Sequence, residues 1–103
     1  MYNSNTILRF TWDDNKAAIN IRKHGISFKE ASSVFHDPYA RVIPDPDHSQ
    51  DEERFVILGI SDHARVLVVC HCYRENEEVI RLISARKATR KETSTYGRLY
   101  DAR

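Results

Sequence analysis

Three runs of strand-forming residues, Arg54–Ile60, Val66–Tyr73 and Val79–Arg86, lie almost end to end with only short polar turns between them. Connections that short cannot carry a crossover, so consecutive runs must pair antiparallel. The last run leads directly into Lys87-Ala88-Thr89-Arg90-Lys91-Glu92. Thr89 and Glu92 have the T-x-x-E spacing of a capping box, which predicts a helix from there on. The first turn of that helix is basic, with Lys87, Arg90 and Lys91, whereas the positive end of a helix dipole favours acids. Such charges are either left in water or used on an anion.

Upstream, Ile7–Trp12 alternates like a strand and Asp13 is a natural N-cap. A helix through Lys16, Ala17, Ala18, Ile21 and Arg22 follows, ending at Lys23-His24-Gly25 with Gly25 suited to the left-handed C′ position. Ser27 and Glu30 form a second capping box, flanked by Ile26 and Ala31 at hydrophobic-staple spacing. Phe28, Ala31, Val34 and Phe35 then give a core-facing stripe, and His36-Asp37-Pro38 stops the helix. Tyr39–Ile43 is a short strand closed by Pro44 to Asp47. Helices bunched at the two ends of a run of strands mean α+β rather than alternating α/β. The prediction is one domain over residues 1–103. It has an antiparallel sheet of about four to five strands, with two N-terminal helices and a C-terminal helix packed on one face.

Composition bears on function mainly by what it excludes. Formal net charge is +1, so no global polycation is present and an anion site must come from local segregation. Five acids and no Lys or Arg lie between Asp45 and Glu53, while six basic residues against two acids lie between Arg86 and Arg103. The basic end is a plausible phosphate-tracking surface, or else the solvated face of an amphipathic helix. No apolar run reaches membrane-spanning length and no signal peptide is apparent, so a cytoplasmic location without membrane partners is the default. Cys70 and Cys72 fall on one face of one strand and read as free thiols. No cofactor is implied. The acids and histidine of Asp45, Asp47, His48 and Asp51 invite a metal, but the loop lacks EF-hand spacing and the chain lacks H-E-x-x-H, so no metal site is expected.

Strand parity separates two faces. Val66, Val68, Cys70, Cys72, Ile80 and Leu82 are even-numbered and apolar, and are expected to face the helices. His71, Tyr73 and Arg81 then share the open, odd face. A three-residue loop between Arg74 and Glu78 puts His71 opposite Arg81, whereas a loop of two or four residues separates them. Arg86, at the strand end, has the opposite parity to Arg81, so the two arginines are read as phosphate contacts at different places.

Phe10-Thr11-Trp12-Asp13, Lys16-Ala17, Asn20 and Lys23-His24-Gly25-Ile26-Ser27-Phe28 together resemble the opening of BrnT-type toxins. Glu30-Ala31, Val34-Phe35, Asp37-Pro38, Asp47-His48, Glu53-Arg54 and Gly59 continue that pattern. So do Arg81-Leu82-Ile83-Ser84-Ala85-Arg86-Lys87-Ala88, Glu92 and Tyr96. The resemblance covers roughly Phe10 to Tyr96. It implies a RelE-like α+β fold and the toxin half of a type II toxin–antitoxin pair. It further implies a ribonuclease acting on RNA, neutralised by a BrnA-like antitoxin with a ribbon-helix-helix domain. Operator DNA would then be met only through the antitoxin.

RNA cleavage without a metal needs a base for the 2′-hydroxyl, an acid for the leaving 5′-oxygen and cations for the phosphorane. Arg81 is the leading catalytic cation, with a sheet ion pair to Glu53 or Glu78 as the structural alternative. His24 and Lys23 are catalytic candidates that would equally serve as helix C-terminal cations. His71 and Tyr73 are proton-transfer candidates, or cross-strand packing with Tyr73 able to stack a base. Glu53 is a candidate base. Arg54, Arg86, Lys87 and Arg90 are the expected RNA-binding cations. The competing function is a non-catalytic module that binds nucleic acid or protein through the same face.

Overall fold

A computed structural model describes residues 7–45, 52–76 and 78–101. In chain order the elements are β1 (Arg9–Thr11), α1 (Asp14–His24), α2 (Phe28–Ser33) with a 3-10 turn over Val34–His36, and β2 (Arg41–Pro44). β3 (Phe55–Ile60), β4 (Val66–Arg74), β5 (Val79–Lys87) and α3 (Arg90–Asp101) complete the chain. The helices start and stop where side chains can satisfy their end groups. The Asp13 carboxylate accepts from the Lys16 amide at 3.0 Å, and Ser27 Oγ from the Glu30 amide at 3.0 Å. Thr89 and Glu92 bond reciprocally, at 3.1 and 2.8 Å, so the predicted capping box of α3 forms in full. Gly25 takes φ 71° and returns its N–H to Ile21.

The sheet has five strands in the order β1-β5-β4-β3-β2. Its centre is antiparallel as the short turns require, but β1 runs parallel to β5, so the sheet is mixed rather than wholly antiparallel. The connection from β1 through α1 and α2 is long enough to reset strand direction, a freedom a hairpin does not have. β1 covers only Val79 to Arg81 of β5. Beyond it the Asn20 side chain of α1 takes over. Its Nδ2 donates to the carbonyls of Ala85 (2.9 Å) and Ile26 (2.8 Å), and its Oδ1 accepts the Ala85 amide at 3.0 Å.

Which face of β4 turns inward corrects the parity reading. Leu67, Val69 and His71 are buried against Ile26, Phe28, Ala31, Val34 and Phe35, and the even residues Val66, Val68 and Cys70 lie half-buried on the other side. Both faces of β4 are apolar, so hydrophobicity alone does not choose. Gly59 does. A Cβ there would sit 2.9 Å from Ala40 Cβ and Val34 Cγ1, so only glycine lets these segments approach. Gly59 pairs with Leu67, which fixes the odd residues of β4 on the helix side.

β5 then changes phase along its length. Cys70 pairs with Ser84 but His71 pairs with Leu82, leaving Ile83 as an extra residue in a bulge. Leu82 and Ile80 face the core below the bulge and Ala85 above it.

Candidate functional site

The site is the sheet face away from Phe28 and Phe35. The turn between β4 and β5 spans four residues, 75–78, with Arg74 opposite Val79, and Arg81 consequently lies opposite Cys72. That is the arrangement that parts Arg81 from His71. Arg86 lies opposite Val68 on the same face as Arg81. Their numbers differ in parity, but the extra residue Ile83 restores the phase, so the expectation that they point to different faces is corrected.

On this face, between the C-terminal end of α1 and strands β3 to β5, lies an open cleft of about 320 Å³. Val56, Val68, Cys70 and Ile83 line its floor, and His24, Asp45, Arg54, Ser84 and Arg86 its rim. His24 is half-buried there because Gly25 ends the helix directly behind it. It also lines an adjoining hollow of about 150 Å³ with Lys16, Ile19, Asn20 and Lys23. Lys23 is thus beside the cleft, exposed, at the negative end of α1.

The two rim arginines are held differently. Arg54 donates only its Nε to Glu52, at 3.1 Å, which leaves its terminal amino groups without a partner among the described residues. Glu52 also accepts from Arg74 at 2.9 Å, and these two cations, Arg74 foremost, hold its carboxyl below the usual range. Arg86 spends both terminal nitrogens on Glu92, at 2.8 and 3.0 Å. That pairing, with help from the Thr89 amide, lowers Glu92 to about 2. Arg81 is half-buried and has no hydrogen-bond or ion-pair partner among the described residues; Glu78, one proposed partner, instead meets Arg9 at 3.5 Å. Lys87 and Arg90 are exposed at the end of β5 and the start of α3.

Cys70 in the floor donates to Asp45 at 3.4 Å, and burial, then Asp45, pushes its thiol up to about 12. It stays protonated and is no nucleophile at neutral pH.

His71 and Tyr73 do not belong to this face. His71 is 0% exposed, with its ring against Phe35 (4.8 Å between centroids) and Tyr73 (5.4 Å). Its Nδ1 is 3.1 Å from the Val69 carbonyl, which only the Nδ1–H tautomer satisfies, and Nε2 is buried without a partner among the described residues. Desolvation lowers its pKa to about 4. A neutral, sealed imidazole has no route to a bound RNA. Tyr73 packs half-buried against the same core. Glu53 is exposed and lies apart from the cleft, beside Phe55, Tyr73 and Arg74.

Sequence reasoning passed over Glu52 in favour of its neighbour. The signal was available: residues two apart on an extended chain share a side, and Glu52 stands in that relation to Arg54. It also did not find the part Asp45, Cys70 and Ser84 take in the cleft, which depends on strand register. Asp47, His48 and Asp51 lie outside the described residues. Among the described residues no three His, Cys, Asp or Glu side chains gather as a metal site, and no helix is long and apolar enough to cross a membrane.

Comparison with known proteins adds a family and a fold. The family described as ribonuclease toxin, BrnT, of type II toxin–antitoxin systems matches residues 12–92. Among solved structures, the ribonuclease toxin BrnT of Brucella abortus aligns with a TM-score of 0.62 and 24% identity, over 82% of this chain and 100% of that one. No curated protein matches.

Proposed function

Because the chain belongs to the BrnT family of ribonuclease toxins of type II toxin–antitoxin systems, we propose that the open-face cleft is a metal-independent endoribonuclease site. The observation that carries this reading is the placing of His24 on the rim of one cleft with Arg54 and Arg86. Imidazole is the side chain best suited to moving a proton near neutral pH. The free fork of Arg54 suits two non-bridging phosphate oxygens.

In the proposed reaction the 2′-oxygen attacks the adjacent phosphorus and its proton passes to a base. The 5′-oxygen leaves with a proton from an acid, giving a 2′,3′-cyclic phosphate and a 5′-hydroxyl end. His24 serves one of the two proton steps. Arg54 stabilises the added charge on the phosphorane, with Lys23 and Arg81 strengthening the positive field on either side. Arg86, its amino groups engaged by Glu92, shapes the rim and contributes charge more than a fork. Lys87 and Arg90 extend a track for the flanking backbone.

Loss of message by such cleavage would inhibit translation in the cytoplasm. The partner is an antitoxin, proposed to be of the BrnA-like ribbon-helix-helix kind, with operator DNA contacted through it. The test is incubation of the purified chain with RNA in excess chelator. Cleavage should persist, and should fall sharply in His24→Ala and Arg54→Ala while the fold is retained. Cleavage abolished by chelator would disprove metal independence. Absence of cleavage at any dose, with RNA binding intact, would favour a purely binding role for the same face.

A further inference from the structure

Where the start of β3 meets the end of β4, a hollow of about 160 Å³ is lined by Glu52, Glu53, Phe55, Tyr73 and Arg74. We propose that it is a subsite for one guanine base of the RNA, apart from the cleft but joined to it through the Glu52–Arg54 bond. The inference rests on the ribonuclease reading for its biological use, though not for its test.

Four observations carry it. The volume suits a single purine. Two aromatic rings form one wall, Phe55 and Tyr73, with centroids 5.5 Å apart and planes at 64°, so a base meets one ring by its face and the other by its edge. The polar groups differ in sign and in freedom. Glu52 is committed to Arg54 and Arg74, whereas the exposed carboxylate of Glu53 has no partner among the described residues. Arg74 gives one bond to Glu52, at 2.9 Å, and retains further N–H donors. A free carboxylate beside a guanidinium complements guanine, whose N1–H and N2–H donate while O6 and N7 accept. Uracil offers one donor, and neither adenine nor cytosine pairs two adjacent donors with an acceptor in that order. Finally, Glu52 lines this hollow and is bonded to Arg54 on the rim of the cleft, so one carboxylate joins the wall of the base subsite to the phosphate contact.

The experiment follows backbone amides of the full chain by NMR during titration with each of the four nucleoside 3′-monophosphates. Guanosine 3′-monophosphate should bind about tenfold more tightly than the other three and shift the amides of Glu53, Phe55, Tyr73 and Arg74. Glu53→Gln, a substitution at an exposed position, should remove that selectivity while leaving phosphate-induced shifts around His24 and Arg54. Equal affinity for all four nucleotides, shifts confined to the His24–Arg54 cleft, or selectivity kept in Glu53→Gln would overturn the proposal. Selective guanosine binding by a chain that cleaves no RNA would leave the subsite standing and remove the ribonuclease reading. Cleavage with no selective nucleotide binding would do the reverse.

Discussion

Two histidines lie toward opposite faces of one sheet, His71 within it and His24 at the end of α1, and their surroundings suit them to opposite work. His71 is central in the sheet, sealed by Phe35, Phe55 and Tyr73, and held neutral by burial. His24 is at a helix end, open to a cleft whose other rim groups include two arginines. By residue type the two are equivalent. What separates them is access, together with the charge placed near them. The core face has its polar groups satisfied internally or, at His71 Nε2, left without a partner among the described residues. On the open face Arg54 retains unused donors and Arg81 has no partner among the described residues. A protein core tolerates a neutral imidazole as a ring to pack; a phosphate site needs groups whose bonds are not already made.

Exchanging the two roles is the severest trial of that contrast. His24→Ala should lower RNA cleavage by about 10²- to 10³-fold in kcat, with little change in the midpoint of urea unfolding. His71→Phe, which keeps a ring in the same space, should retain cleavage within a few-fold. A His71→Phe chain that folds normally but has lost activity would end the division between faces.

A smaller effect is thermodynamic. The folded chain holds His71 neutral down to about pH 4, whereas the unfolded chain takes up the proton from about 6.5. The unfolded state therefore binds more protons between those limits, and stability must fall as pH drops through them. The loss amounts to about 3 kcal/mol and should be absent from His71→Phe when unfolding is followed across that range. The carboxylate Glu92, with its pKa lowered to about 2, loses its contribution in a separate window below about 4.5.

Asn20→Ala tests whether one side chain ties α1, and with it His24, to β5. Removing its three bonds exposes buried Ala85 and Ile26 groups and should cost about 2 kcal/mol of unfolding free energy. A drop in activity greater than that stability loss predicts would show that His24 is positioned through Asn20. The smallest change has the opposite sign. Gly97 lies inside α3 with nothing within 4 Å of a Cβ built on it, so Gly97→Ala should stabilise by about 1 kcal/mol and leave cleavage unchanged.

Much of this architecture was readable before any coordinates. The capping box at Thr89, the Ser27 N-cap, the C-terminal glycine of α1 and the three consecutive strands are local signals, and they form where the residues indicate; the Glu30 half of the box at Ser27 does not close, because Arg65 and Ser61 take its carboxylate. What escaped were relations between segments. The inward face of β4 depends on Gly59, a strand away, and on its fit against Val34 and Ala40. The facing of Arg81 and Arg86 depends on the bulge at Ile83, which no periodicity announces. β1 is parallel because of where α1 and α2 return the chain, a matter of topology rather than of residue preference. The candidate site depends on these relations unevenly. The place of His24 was legible because a helix end is a local feature, and the face of His71 was misread because a strand face is not.

The amide of Asn20 has a consequence for how this protein keeps to itself. A half-covered strand normally offers bare N–H and C=O groups to any extended chain nearby, and such borders seed association between molecules. Here a single side chain occupies the hydrogen-bonding positions of Ala85 where β1 gives out. On the opposite border, β2 ends in Pro44, which has no N–H to offer. In a small, strand-rich chain of net charge +1, electrostatic repulsion between copies is weak, and blunted sheet borders are the barrier its architecture offers to edge-to-edge pairing.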